Sequence, residues 1–120
     1  MEIGYTHTIQ HIVTDADTAL AVGSGGLQVY ATPAMISLME KTAYLAAAVH
    51  NLQTVGTKVN ISHLRACKPG ETITCTAEVL EVEGRKISFN IKASDSKGII
   101  GEGTHERFVI DPERFMAKLG

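Results

Sequence analysis

The stretch from residue 33 to residue 51 is the feature that most constrains how this chain folds. After Pro33 it contains no glycine or proline, and five of its residues are alanines, so it predicts one long helix. Thr32 is expected to cap the start of the helix through its hydroxyl, with Pro33 in the first helical position. The small side chains on most sides of the helix predict that a sheet packs closely around it.

Glu40 is the one residue of this helix that does not fit its surroundings. It lies in a segment whose face through Ile36 and Ala47 is apolar, so its carboxylate is expected to point toward the interior. A buried carboxylate without a partner is costly. Glu40 therefore needs either a chemical role or a pairing cation, such as Lys41 or the Arg65 of a second chain.

Strand-like segments lie on both sides of the helix. Residues 3–13 alternate apolar with small polar residues, and we interpret His7 and His11 as ordinary strand residues rather than metal ligands. After the helix, alternating segments cover residues 55–67, 71–83, 87–93 and 99–110, and a short terminal helix follows. Tight turns between successive segments predict an antiparallel four-stranded meander.

The alternation also assigns side chains to the two faces of the sheet. In the segment 55–67, His63 shares the apolar face with Val55 and Val59, whereas Gly56 lies on the opposite face. This parity directs the His63 imidazole toward the interior.

Two glycines stand out in the last strand-like segment. Gly101 and Gly103 share a face with Ile99 and His105. Because glycine has no side chain, this face is expected to let the helix approach the strand backbone closely.

Composition and charge narrow the class of protein. We expect residues 1–120 to form a single domain with one core. A net charge of −2, without blocks of like charge, argues against a nucleic-acid partner or a membrane surface. No basic and apolar leader or long apolar run is present, so a cytoplasmic protein with two reduced, buried cysteines is expected. No cysteine and histidine cluster indicates a metal site.

A glycine-rich loop, Gly23-Ser24-Gly25-Gly26, precedes the helix. Its spacing fits neither the phosphate-binding loop of nucleotide hydrolases nor a dinucleotide-binding fingerprint. We interpret it as a tight turn or as a mobile entrance to a site. It contains no aromatic residue.

Several motifs occur in an order that resembles one family. They are, along the chain, Val22-Gly23-Ser24-Gly25, Val29-x-Ala31-Thr32-Pro33-Ala34-Met35, Leu38-Met39-Glu40, Gly56-Thr57, His63-Leu64-x-Ala66, Pro69-Gly70 and Glu83-Gly84-Arg85. The series spans nearly the whole chain and resembles the fluoroacetyl-CoA thioesterase-like branch of the hot-dog thioesterases. The order of elements predicts an α+β roll with a long central helix wrapped by a curled antiparallel sheet, and the resemblance identifies this roll as the hot-dog fold.

The resemblance implies an active site that hydrolyses acyl-CoA thioesters without a cofactor or a metal. It places the catalytic residues at Thr32, Glu40 and His63, and a substrate-binding glycine at Gly56. In this chemistry Glu40 either activates water or attacks the thioester carbonyl, Thr32 orients the reactants, and His63 exchanges protons. Hydrolysis of a small or short-chain acyl-CoA is therefore the expected activity.

Two further expectations concern the surroundings of this site. His105 and Arg107 share one strand face and either contact a coenzyme A phosphate or line the edge of the sheet. The resemblance also implies a homodimer whose site takes Thr32 and Glu40 from one chain and His63 from the other. A non-catalytic module that binds acyl-CoA or another small ligand is the alternative function, and a dehydratase on the same fold is a third.

Overall fold

One curled sheet and one long helix dominate the structure, a computed structural model that describes residues 1–120. No helix is both long and apolar enough to cross a membrane. The architecture is α+β, as expected. The strands are β1 (Thr6–Ile12), β2 (Thr54–His63), β3 (Thr72–Glu83), β4 (Lys86–Asp95) and β5 (Gly98–Val109), and the helices are α1 (Ala19–Val22), α2 (Thr32–Ala48) and α3 (Pro112–Ala117).

The strand order is β1-β3-β4-β5-β2, and every pairing is antiparallel. The meander predicted for the last four strands is therefore correct for β3, β4 and β5 but wrong for β2, which lies at the far edge beside β5. The connection 64–71 carries the chain across the end of the sheet. On the way its backbone forms hydrogen bonds with three separate segments. Leu64 N–H donates to Ile100, Cys67 accepts from Tyr30, and Gly70 N–H donates to Val13.

The core lies between α2 and the concave face of the sheet. The inward positions predicted for β3 and β4 are all buried, and Ala43, Ala46 and Ala47 of α2 are fully buried on the same side of the sheet. Such small side chains let the helix axis lie close to the sheet. Both cysteines are buried and unpaired. The buried strand residues are Ile73, Cys75, Ala77 and Val79 on β3, with Ile87, Phe89, Ile91 and Ala93 on β4.

A β-bulge in β2 overturns the predicted assignment of its faces. Gly56 pairs with Arg107, Lys58 pairs with Glu106, and Thr57 is the extra residue between them. Because an extra residue reverses the side-chain alternation, the helix-facing set changes from Thr54 and Gly56 before the bulge to Val59, Ile61 and His63 after it. Gly56 therefore faces α2, and Val55 does not share a face with His63.

The glycines of β5 permit two different close approaches. A Cβ atom on Gly101 would lie 2.6 Å from the Met35 side chain of α2, as the expected contact with the helix requires. A Cβ atom on Gly103 would lie 2.0 Å from the backbone oxygen of Asn60, so this glycine accommodates β2 instead. The register also shifts near the start of β5, which leaves Ile99 exposed and buries Ile100.

Candidate active site

Thr32 and His63 form a hydrogen-bonded pair at the beginning of α2. The Thr32 Oγ1 to His63 Nδ1 distance is 2.7 Å. Thr32 is not the N-cap that its sequence position suggested, because Ala31 takes that position with no side-chain hydrogen bond and Thr32 is the first residue of the helix. The hydroxyl is consequently free to point toward β2, where the last residue of the strand presents the imidazole.

The second ring nitrogen of His63 has no partner. Nε2 is buried and makes no hydrogen bond within the chain. Burial lowers the pKa of His63 below its ordinary value of 6.5, which favours the neutral imidazole. A buried polar atom without a partner is rare and costly, so Nε2 marks a position where another molecule is expected to supply one.

A cavity of about 320 Å³ opens beside this pair. The segment before α2 forms one wall, and the start of the connection after β2 forms the opposite wall. Its lining is mixed, since hydroxyls, an imidazole and a guanidinium lie among apolar residues, which is typical of sites for small organic ligands. The lining residues include Ser24, Tyr30, Thr32, His63, Leu64 and Arg65.

The wall before α2 is fixed to the rest of the fold through Asp17. The His11 imidazole bonds to the Asp17 carboxylate at 2.7 Å, and the Asp17 carbonyl accepts the Ala31 N–H at 2.9 Å. His11 therefore has a specific structural partner, although its sequence pattern indicated only a strand residue. This contact holds the residue immediately before Thr32 in place.

Glu40 belongs to a second group of residues, further along α2. Its Oε2 atom lies 3.0 Å from the point where a Cβ atom on Gly56 would be. The side chain is partly buried and forms no ion pair within the chain. Of the two cations proposed as its partner, Arg65 is paired with Asp95 and Lys41 is exposed.

His105 and Arg107 lie beneath this second group, with 1% and 6% of their surfaces exposed. The Arg107 guanidinium donates from Nε to Thr54 Oγ1 at 2.7 Å and from Nη2 to Thr54 O at 3.1 Å. It also lies 3.1 Å from Nε2 of His105 and 5.9 Å from the centre of the Tyr44 ring. Neither the sheet edge nor an exposed phosphate contact describes these positions, because both side chains are enclosed between α2 and the sheet.

The contacts of His105 also determine its protonation. An arginine can only donate, so His105 Nε2 accepts from Arg107, and the proton resides on Nδ1, which donates to the Lys58 carbonyl at 2.8 Å. Burial lowers the pKa of His105, in agreement with a neutral ring. The buried guanidinium is therefore the only charged member of this pair of side chains.

Within one chain the two groups remain apart. Eight residues of helix separate Thr32 from Glu40, which corresponds to about 12 Å along the axis. The structure thus pairs Thr32 with His63 of the same chain, and the expected division of these two residues between chains is wrong. The reason is that β2 ends beside the start of α2.

Sequence reasoning missed the contributions of Thr54 and Tyr44. The sequence did contain one indication of this group. Alternation of side chains along β5 directs Arg107 inward together with His105. A buried guanidinium requires acceptors nearby. Thr54 supplies two of them, but its inward orientation depends on the bulge after Gly56, which alternation alone does not reveal.

Comparisons with known proteins agree with this fold. A sequence model of the family described as fluoroacetyl-CoA-specific thioesterase matches residues 13–113. The fluoroacetyl-CoA thioesterase of Streptantibioticus cattleyicolor is 42% identical over 95 residues, which are 77% of this chain and 68% of that protein.

Two solved structures extend the comparison to three dimensions. A variant of the fluoroacetyl-CoA-specific thioesterase FlK in complex with fluoroacetate and CoA superposes with a TM-score of 0.90 at 35% identity, covering 96% of this chain and 99% of that one. A hot-dog-like protein from Thermanaerovibrio acidaminovorans has a TM-score of 0.89 at 21% identity over 99% and 90% of the two chains. The chain has the hot-dog fold and belongs to the fluoroacetyl-CoA-specific thioesterase family of thioester hydrolases.

Proposed function

We propose that this protein hydrolyses a small or short-chain acyl-CoA thioester with Thr32, His63 and Glu40 as its catalytic residues. The observation that carries the proposal is the 2.7 Å contact between the Thr32 hydroxyl and the His63 imidazole at the mouth of a cavity. A hydroxyl bonded to a neutral imidazole is the arrangement in which a general base activates an oxygen nucleophile.

The residues divide the steps of hydrolysis between them. The Thr32 hydroxyl passes its proton to His63 as it takes one from a bound water, and the water oxygen adds to the thioester carbonyl. The carbon–sulfur bond then breaks, and the proton on His63 passes to the departing thiolate of CoA. Glu40 bonds to the orphan Nε2 of His63 and stabilises the imidazolium that forms, or activates the water itself.

The protein acts as a homodimer in this proposal, because Glu40 and His63 of one chain are too far apart. Strand β2 is at the sheet edge, where it pairs only with β5, and Val59 at its middle is 41% exposed. Two β2 strands that pair antiparallel about an axis between Val59 and Asn60 set Gly56 opposite the partner's His63. Such a dimer brings Glu40 of one protomer toward Thr32 and His63 of the other.

Gly56, His105 and Arg107 form the substrate-binding part of the proposed site. The missing Cβ of Gly56 leaves a niche bordered by Glu40 Oε2 at 3.0 Å, His105 Cε1 at 3.1 Å and Arg107 Nη1 at 3.2 Å. An acyl group or its carbonyl seated over Gly56 would contact these three side chains. The unpaired cysteines are consistent with a cytoplasmic location, where CoA thioesters are available.

The proposal is tested by measuring thiol release from a panel of acyl-CoA thioesters. The variants Thr32→Ala, Glu40→Gln and His63→Ala are each expected to lower kcat by at least about 100-fold. Glu81→Gln removes an exposed carboxylate of β3 and should retain full activity. Unchanged hydrolysis by Glu40→Gln would remove Glu40 from the mechanism.

The alternative function is a module that binds acyl-CoA without cleaving it, which is what a single chain with Glu40 apart from Thr32 would provide. Calorimetry distinguishes the two functions. Binding of acyl-CoA by the wild-type protein with no release of thiol would establish the binding module and exclude the hydrolase.

A further inference from the structure

A cluster of cations with no acidic side chain paired to them lies at the opposite end of β2 from His63. Arg85, Arg114 and Lys118 are exposed and line one cavity of about 140 Å³, with Ile110 and Phe115 as its apolar part. None of the three forms an ion pair. Asp111 also borders the cavity, but its carboxylate accepts the Arg114 backbone N–H at 3.1 Å as the cap of α3. We call these three cations the basic cluster.

The basic cluster concentrates positive charge in a protein whose net charge is −2. Three cations around one small cavity repel one another, and a single carboxylate already used as a cap compensates only part of this charge. Arginine side chains present planar sets of donors that match phosphate oxygens. The cluster therefore fits a ligand with more than one phosphate charge.

A larger cavity of about 380 Å³ adjoins the basic cluster and shares Arg85, Ile110 and Asp111 with it. It adds the amide side chains of Asn51 and Gln53 and an apolar surface that includes Leu52 and Val109. Asparagine and glutamine amides match the donor and acceptor pair on the edge of adenine. The two adjoining cavities therefore offer cations for phosphate groups and amides for a purine base.

Backbone contacts connect this double cavity to the proposed catalytic site. The Arg85 carbonyl accepts the Val109 N–H at 2.8 Å, and the Gln53 carbonyl accepts the Ile110 N–H at 2.9 Å. Val109 pairs with Thr54, which is two residues from Gly56. A ligand that reaches from Gly56 toward the basic cluster therefore follows the end of β2.

We propose that the basic cluster and the adjoining cavity bind the adenosine phosphate portion of the CoA thioester. This inference rests on the proposed function, since it assigns the part of the substrate remote from the reacting carbonyl. The phosphates contact Arg85, Arg114 and Lys118, and the adenine lies against Asn51 and Gln53. His105 and Arg107 are too enclosed for this task.

The test compares two thioesters of the same acyl group, one of CoA and one of N-acetylcysteamine, which lacks the nucleotide. In Arg85→Ala/Arg114→Ala, KM for the CoA thioester should rise at least about 10-fold, the loss expected from charge-assisted hydrogen bonds. The kcat value and the KM for the N-acetylcysteamine thioester should stay unchanged. Lys92→Ala, which removes an exposed cation of β4, is the matched control and should change neither.

Calorimetry with adenosine 3′,5′-bisphosphate tests the site without any reaction. We expect binding to the wild-type protein that weakens in high salt and is lost in Arg85→Ala/Arg114→Ala. Equal losses with both thioesters, or wild-type KM in the double variant, would overturn the proposal. Binding of pyrophosphate but not of the bisphosphate nucleotide would also overturn it. Nucleotide binding without hydrolysis of any thioester would retain this site and refute the proposed activity instead.

Discussion

Thr32 combines a helix-start position with a side chain that the helix does not use. Its hydroxyl bonds to His63 rather than to a backbone N–H of the first turn, and Ala31 is the N-cap. Threonine followed by proline is typical of a capping position, so the sequence predicted the start of the helix correctly and the task of the hydroxyl incorrectly. Only the position of β2 beside the helix start distinguishes the two tasks.

Removing this hydroxyl should therefore affect activity without affecting stability. We expect Thr32→Ala to change the free energy of unfolding by less than about 0.5 kcal/mol, whereas the loss of a capping side chain typically costs about 1 kcal/mol. Thr32→Ser keeps the oxygen and should retain most of the activity. Denaturant titration and thiol release measure the two effects. A loss of more than about 1 kcal/mol in Thr32→Ala would contradict this expectation and would show that the bond to His63 also stabilises the fold.

His105 should make stability depend on pH. Its pKa in the folded protein is lowered by burial below the ordinary value of 6.5, so the unfolded chain binds a proton first as the pH falls. The contribution of the neutral ring is fully present above pH 6.5 and is lost as the pH falls through the folded pKa. The free energy of unfolding should consequently decrease from pH 7 to pH 5.

The variant His105→Asn isolates this effect. Asparagine retains a donor for the Lys58 carbonyl but cannot take up a proton in this range. Chemical denaturation at several pH values should show a weaker pH dependence in His105→Asn than in the wild type. His50→Asn, which changes a histidine at the end of α2, serves as the control. An unchanged pH dependence in His105→Asn would show that other groups produce it.

At the scale of elements, strand β2 determines the site more than any other segment. Its bulge turns Gly56 toward Glu40, and its last residue supplies His63. Alternation predicted the inward orientation of His63 correctly. It missed the bulge, because an extra residue such as Thr57 leaves no mark in a sequence where threonine and glycine suit either face.

The alternation of side chains also could not predict the position of β2 in the sheet. Short turns indicate which strands form hairpins, but a connection of several residues, such as 64–71, either reverses the chain or crosses the sheet. The central helix follows from its composition, the inward residues of β3 and β4 follow from alternation, and the class of fold follows from the order of these elements. The strand order depends on long-range pairing, which periodicity does not report.

Two glycine substitutions, one in β2 and one in the neighbouring strand β5, distinguish an effect on stability from an effect on activity. In Gly103→Ala the new Cβ would meet the Asn60 backbone oxygen at 2.0 Å, and the strand cannot yield without breaking its pairing. We expect a loss of about 3 kcal/mol or more in the free energy of unfolding, together with reduced soluble yield.

Gly56→Ala should behave in the opposite way. Its new Cβ would meet the ends of side chains, with Glu40 Oε2 nearest at 3.0 Å. A cost of no more than about 1 kcal/mol in stability, with a clear loss of thiol release, is expected because Glu40 must move. Thermal denaturation and kinetics on the same samples compare the two variants, and equal destabilisation by both would contradict this division.

At the scale of the whole molecule, the proposed dimer places catalytic residues of two chains in each site. Complementation tests this arrangement directly. Glu40→Gln and His63→Ala should each be inactive alone, but their mixed dimer contains one site with an intact Glu40 facing an intact Thr32 and His63. After unfolding and refolding of an equal mixture, about a quarter of the wild-type activity should return.

The mixture also tests the alternative in which each chain forms its own site. Refolded mixtures would then remain inactive, because every chain carries one defect. Sedimentation of the wild type at micromolar concentration provides the accompanying measurement, and a monomeric species with full activity would exclude the shared site.

The loop Gly23–Gly26 has a consequence for the range of acyl groups that the fold can serve. Only Ser24 of this loop lines the cavity, and a Cβ atom on Gly26 would meet no atom outside its chain neighbours within 4 Å. Gly23 has a φ angle of +89° and ends α1, whereas Gly26 has no such backbone constraint. Evolution can therefore enlarge or narrow the entrance by changing one side chain, while the chemistry, the core and the pairing of strands stay untouched.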